Sequence, residues 1–239
     1  PISDTCEVYY ATFPGNGSFN VNVNGGATIQ TINENVAQSL TKATISTTLG
    51  NNVWNFVTTS TSQVFIAAIV CYNSANKGVN VINAGWSAST SGNWNSASAV
   101  WSPRAALAVY TPDLIVMDLG INDWRGVSDL SGKGYETNMA AMVQAAKATG
   151  ADVWLKTPVP SQVGLGGSQA PYLTQKAVVD TMYRLADRFN VGLIDYWGSV
   201  NGDWGTLNAR GLMTDTLHPN ANGYADIASV VYDALESVT

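Results

Sequence analysis

The chain has 239 residues, enough for one large domain or two small ones with an ample core. Only 12% of the residues are charged, about half the share of an average domain, so Asn, Ser, Thr and Gly must build much of the polar surface. The net charge of −6 argues against a nucleic-acid footprint, and no apolar run approaches the roughly 18 residues of a membrane span.

A surface rich in amides and hydroxyls suits extracellular proteins and phage adhesins, so the expected location is outside the cell or on a phage particle. The chain begins at Pro1 with no signal-peptide pattern, and the expectation is a trimmed polypeptide that something preceded. Two cysteines, Cys6 and Cys71, are too few for a zinc cage. They would form a disulfide if their strands are neighbours, or else act as two buried apolar residues.

Residues 6 to about 72 read as β structure. Cys6-Glu-Val-Tyr-Tyr-Ala-Thr12 is β-branched and aromatic and ends at the turn cluster Pro14-Gly-Asn-Gly17. Ser18-Phe-Asn-Val-Asn-Val-Asn24 alternates strictly, with Phe19, Val21 and Val23 on one face and asparagines on the other, the mark of a half-buried strand. Asn24-Gly25-Gly26 is a hairpin turn. Further strands are predicted over 43–48, 53–58 and 63–71. Short strands at regular spacing, with no helical period between them, predict a small sandwich or jelly roll over residues 1–72.

The pattern changes over residues 73–239. Short apolar runs at Val79–Ala84, Leu114–Met117, Val153–Leu155 and Val191–Ile194 alternate with helical stripes. Met139, Met142, Val143 and Ala146 repeat at helical intervals, with Gly150 as a C-cap. So do Val178, Met182, Leu185 and Phe189, and finally Tyr224, Ile227, Ala228, Val231 and Leu235. Strands alternating with helices predict right-handed crossovers and a parallel sheet covered on both faces. Chemistry in such a sheet sits beyond the carboxyl ends of the strands, at Gly85, at Gly120–Asn122 and after Asp195.

Three loops carry candidate chemistry. His218 is the only histidine, and Asp215 precedes it by three residues, close enough in a tight loop to hold one ring nitrogen while the other acts as a base. Asn83-Ala-Gly-Trp-Ser-Ala-Ser89 follows one core strand, and is either an ordinary strand-to-helix turn or a place where Gly85 lets the backbone approach and its N–H donate to an oxyanion. Asp118-Leu-Gly-Ile-Asn-Asp-Trp124 follows the next, where Asn122 adds a side-chain donor and Asp123 is either a helix cap or a contact to substrate.

These residues resemble the SGNH hydrolases, also called the GDSL esterase/lipase superfamily. Gly120-Ile-Asn-Asp123 is similar to its G-x-N-D block, Asn83-Ala-Gly85 to the preceding glycine block, and Asp215-Thr-Leu-His218-Pro to the closing D-x-x-H block. Glu7-Val-Tyr-Tyr with Pro14-Gly-Asn-Gly-Ser-Phe19 is similar to the jelly-roll insertion of some members, so the resemblance spans essentially the whole chain. It implies a flavodoxin-like parallel sheet, His218 as general base, Asp215 as its orienting acid, and Gly85 with Asn122 in the oxyanion hole. It implies no metal and no cofactor.

One part is missing. The family's serine stands in a Gly-Asp-Ser block on the first core strand, and no Gly-Asp-Ser occurs here. Gly202-Asp203 is followed by Trp204, and Ser87 lies one residue beyond the expected chemistry. By the resemblance, that strand would lie between those ending at Gly85 and Gly120. Its omission would leave two rows of backbone groups unpaired, at about 1–3 kcal/mol each. The expectation is therefore an upstream segment or a second chain that carries the serine and stays bound.

The reading is a serine esterase on an acylated carbohydrate, expected to be an O-acetyl ester. Trp86, Trp124 and Asp123 are candidate substrate contacts, and Trp94, Trp197 and Trp204 lie near the same loops. The rivals are a carbohydrate-binding or phage-adhesin module that has lost its serine, and a lipase or thioesterase.

Overall fold

The computed structural model describes residues 2–76, 78–125, 133–164 and 170–237. They fall into two compact units, Pro1–Gly85 with Ala97–Tyr110, and Trp86–Ser96 with Thr111–Thr239.

The first unit holds β1 (Ile2–Thr12), β2 (Ser18–Val23), β3 (Thr28–Asn33), β4 (Ser39–Asn51), β5 (Trp54–Thr58) and β6 (Ile66–Tyr72). They make two open antiparallel sheets of three strands, ordered β4-β1-β6 and β3-β2-β5. Cys6 and Val8 of β1 and Ala43 and Ile45 of β4 meet Phe19 and Val21 of β2 and Ile32 of β3 in one core. The alternation in β2 thus does what its period requires, placing Phe19 and Val21 inside. The turn after it has Asn24 at φ 55° and Gly25 at φ 71°, the doubly positive pattern that suits a two-residue hairpin. The hairpin partner, β3, has no run of its own in the sequence-based reading because Ile32 is its only buried residue. Among the described residues the β strands of this unit number six, against eight in a jelly roll.

Cys6 and Cys71 stand directly opposite each other on β1 and β6. They are thiols with sulfurs 3.3 Å apart, and burial pushes the Cys6 thiol well above its ordinary pKa. Two short helices follow β6: α1 (Ser91–Asn95) belongs to the second unit and α2 (Pro103–Tyr110) to the first. Ala106 of α2 packs with Ala11 and Leu40, so residues 97–110 group with the sandwich although they follow the expected boundary at 72/73.

The second unit continues with β7 (Leu114–Met117), α3 (Lys133–Lys147), β8 (Asp152–Lys156), α4 (Tyr172–Phe189), β9 (Gly192–Ile194), α5 (Tyr196–Ser199), α6 (Trp204–Ala209) and α7 (Ala221–Glu236). The predicted parallel sheet is present, in the order β7-β8-β9. Val153 and Leu155 of β8 are buried, as are Met139, Met142, Val143 and Ala146 of α3 and Val178, Met182 and Leu185 of α4. The helical stripes read from the sequence are thus the faces these helices bury. Asn190 ends α4 in the left-handed conformation at φ 48°, a position an asparagine tolerates.

Two predicted elements differ. The apolar run Val79–Ala84 is not a strand: it has no ladder partner among the described residues, and Val79 and Val81 are 92% and 82% exposed. Apolar character alone cannot hold an extended segment, because its backbone N–H and C=O groups need a neighbouring strand. The last stripe does form α7, but Gly223 is its only fully buried residue and Ile227, Val231 and Leu235 are half-covered. β7 shows the same deficit. Its ladder is to β8 alone among the described residues, and Leu114 and Val116 remain 38% and 40% exposed.

Candidate active site

The tightest constellation is the loop before α7. His218 Nδ1 lies 2.8 Å from Asp215 Oδ2. The other carboxylate oxygen, Oδ1, accepts from the Leu217 and His218 backbone N–H groups, each at 2.7 Å. The His218 ring together with these two amides lowers the Asp215 pKa to about 2. A carboxylate so held keeps the proton of the neutral imidazole on Nδ1, so the Nε2 lone pair is left as a base. Both side chains are about half exposed, so the base is open to a reacting partner.

The local sequence explains the loop. Thr214 N–H donates to the His218 carbonyl at 2.8 Å, and Met213 bridges Pro219. Leu217 is buried and anchors the turn from within. Asn220 then caps α7 by accepting from Gly223 N–H, and its amide donates to the Gly211 carbonyl. At Gly223 a Cβ would collide with the Leu212 carbonyl, so the Asn-x-x-Gly sequence is a steric requirement of this corner. Trp204 reaches the same turn, its Nε1 donating to the Asp215 carbonyl at 3.3 Å.

A second constellation lies beyond the end of β7. Gly120 takes φ +133°, and a Cβ there would stand 2.7 Å from Val178 and 2.9 Å from Pro158, so only glycine lets the chain turn here. Asn122 follows on this turn. Its Nδ2 donates to the Ser89 carbonyl at 3.0 Å, and its Oδ1 accepts from Arg125 Nη1 at 3.2 Å. Each Nδ2 carries two hydrogens, so one donor remains for an oxyanion.

Asp123 faces the first residue of α1, whose N-cap is Thr90. Both carboxylate oxygens accept from the Ser91 N–H at 3.0 Å, and the Ser91 hydroxyl donates to Oδ1. Burial raises the Asp123 pKa against these hydrogen bonds. Asn138 of α3 donates to the Ser91 oxygen at 3.2 Å, so the network ties α1, α3 and the Asn122 loop together. Asp123 also lines the cavity beside Asn122. The Trp124 ring is 1% exposed and packs edge-on against Trp197 at 6.0 Å. Trp86 is exposed, while Trp94 donates its Nε1 to the Ser89 hydroxyl at 2.7 Å.

Gly85 belongs to the first unit, and its N–H donates to Asn83 Oδ1 at 2.9 Å. Ser89, Ser91, Asn138 and Arg125 were not singled out in the sequence. The Ser-Ala-Ser-Thr-Ser run over 87–91 was the available signal for the first two.

A cavity of about 310 Å³ opens beside Asn122, lined also by Trp124, Arg125, Tyr135, Thr174 and Val178. Three buried polar atoms on these residues have no partner among the described residues: Trp124 Nε1, Arg125 Nε and Thr174 Oγ1. No group of three or more His, Cys, Asp or Glu residues suited to a metal occurs among the described residues. No described helix is long and apolar enough to cross a membrane.

The sequence profile of the GDSL-like lipase/acylhydrolase family matches residues 46–225, more than half of the chain. The chain belongs to this family, the SGNH hydrolases. Among solved structures, this SGNH chain is similar to a peptidoglycan O-acetylesterase at TM-score 0.66 and 18% identity, over 99% of this chain and 65% of the other. It is similar to the YxiM protein of Bacillus subtilis at TM-score 0.54 and 18% identity, over 98% and 78%. An acetyl xylan esterase matches at TM-score 0.50 and 20% identity, over 63% and 78%. At these identities the likeness is one of fold. The chain spans 65% of the length of the peptidoglycan O-acetylesterase. No curated protein matches the sequence.

Proposed function

We propose that this SGNH hydrolase is a serine esterase that removes O-acetyl groups from a carbohydrate, its serine supplied by a segment outside these 239 residues. The observation that carries the reading is the Asp215–His218 pair, 2.8 Å apart through Nδ1. In the reaction the serine hydroxyl attacks the acetyl carbonyl carbon and passes its proton to His218 Nε2. Asp215 stabilises the imidazolium, and Asn122 Nδ2 donates to the oxyanion. The imidazolium then protonates the departing sugar oxygen, leaving an acetyl-enzyme. Water, deprotonated by His218, cleaves that intermediate to acetate and free serine.

The open side of β7 supports the source of the serine. A four-residue strand with half-exposed Leu114 and Val116 and, among the described residues, a ladder on one side only is a ready template for a further parallel strand. The half-covered stripe of α7 supports the same reading. The carbohydrate ester rests on the acetylesterase structures among its neighbours and on the exposed Trp86. The uncharged polar composition supports a location outside the cell.

The test is a substrate series in the active protein. Acetate release from an acetylated polysaccharide and a preference for acetyl over long-chain esters are expected, both lost in His218→Ala. A rising rate with acyl length would replace this reading with a lipase. Glycan binding without hydrolysis, unaffected by His218→Ala, would replace it with a binding module.

A further inference from the structure

The oxyanion amide of Asn122 cannot choose its own orientation. A carboxamide turned by 180° exchanges an acceptor for a donor, and an Asn122 so turned would present a carbonyl oxygen where the reaction needs an N–H. Two contacts decide the matter here. Nδ2 faces the Ser89 carbonyl at 3.0 Å, an acceptor that only the NH₂ group satisfies. Oδ1 faces Arg125 Nη1 at 3.2 Å, a donor that only the carbonyl satisfies. A guanidinium donates and has no acceptor, so Arg125 disfavours the turned amide, whereas a partner that can both donate and accept would tolerate either.

The backbone on either side is fixed as well. Gly120 allows only one course for the chain, and Asp123 is pinned to the start of α1 by Ser91. That leaves the Asn122 side-chain torsions as the freedom to be removed, and Arg125 stands three residues on, across the same turn. Its Nε is buried with no partner among the described residues, and the guanidinium lies at the wall of the cavity that Asn122 shares.

We propose that Arg125 is a positioning residue for the oxyanion hole, acting through Asn122 and not on the substrate. It holds the amide with its free N–H presented to the reacting centre. Its charge on Oδ1 also draws electron density from the amide and makes that N–H a better donor, as linked hydrogen bonds polarise one another. The effect belongs to the transition state, where the oxyanion exists, so it appears in kcat and not in KM. The inference rests on the esterase reading above and on the place of Asn122 within it.

The experiment is a double-mutant cycle in the active protein, with steady-state kinetics on one acetyl ester. Asn122→Ala is expected to lower kcat by about 10²–10³-fold, the usual loss of one oxyanion donor. Arg125→Met is expected to lower kcat by about 10–100-fold with KM within about twofold. Because both act through one hydrogen bond, the double variant is expected to be no slower than Asn122→Ala alone. Independent, multiplying losses would overturn the proposal, as would a loss confined to KM. Should Arg125→Met fail to fold, Arg125→Lys takes its place in the cycle, where non-additive losses support the proposal and multiplying losses overturn it. An Asn122→Ala variant with full kcat would instead remove the oxyanion role of Asn122 itself, while activity that still needs His218 would leave the esterase reading standing.

Discussion

The two units of this chain differ in how completely their elements find partners. In the sandwich, β1 and β2 each have ladders on both sides, and Cys6, Val8, Phe19 and Val21 close a core between the sheets. In the α/β unit, β8 sits between two strands and is buried, but β7 is open on one side and α7 covers its apolar stripe only in part. Hydrophobic sequence alone therefore does not make an element buried. Burial is a property of pairs.

The comparison can be broken or sharpened by experiment. The largest expected effect is catalytic: His218→Ala should lower kcat by about 10⁴-fold or more, measured by acetate release, since loss of a general base disables the whole constellation. A much smaller loss would mean that the exposed pair is not the working base. Next, Phe19→Ala should destabilise the sandwich by about 3–5 kcal/mol, read from denaturant unfolding, because a fully buried ring leaves a cavity. By contrast, Leu114→Ala and Val116→Ala in this chain alone should each cost less than about 1 kcal/mol, as at other exposed positions. If the segment that carries the serine covers β7, both costs should rise in the complete protein. Equal costs in the two preparations would contradict a strand at that edge.

The smallest effect is on acid stability. The folded Asp215 carboxyl is lowered to about 2, below its ordinary value of 3.8. A depressed carboxylate stabilises the fold above the unfolded pKa, and that contribution fades as pH falls through the folded one. The Asp215–His218 loop should therefore keep its structure at pH 5 and loosen between about pH 4 and 2. Hydrogen exchange at the Leu217 and His218 amides reads this, and Asp215→Asn should remove the pH dependence.

Much of this was legible in the sequence because the signals are local. The strict alternation of Phe19 and Val21 needs only a period of two, and the stripe through Val178, Met182 and Leu185 only a helical one. Asp215 and His218 lie within one turn, so their spacing nearly dictates their contact. What was not legible depends on distant partners. Val79–Ala84 has strand composition, yet a strand exists only beside another. Only the fold reveals that Ser91 engages the Asp123 carboxylate and that the Trp124 ring is enclosed. The hold of Arg125 on Asn122 likewise needs the geometry of the turn, since Trp124 between them points to the core.

The most direct test of the central claim is intact-mass and peptide mass spectrometry of the active protein after treatment with a fluorophosphonate. A single adduct on a serine outside residues 1–239, lost in His218→Ala, is the predicted result. An adduct on a serine within these residues, such as Ser87, or no adduct in a protein that still hydrolyses esters, would contradict it.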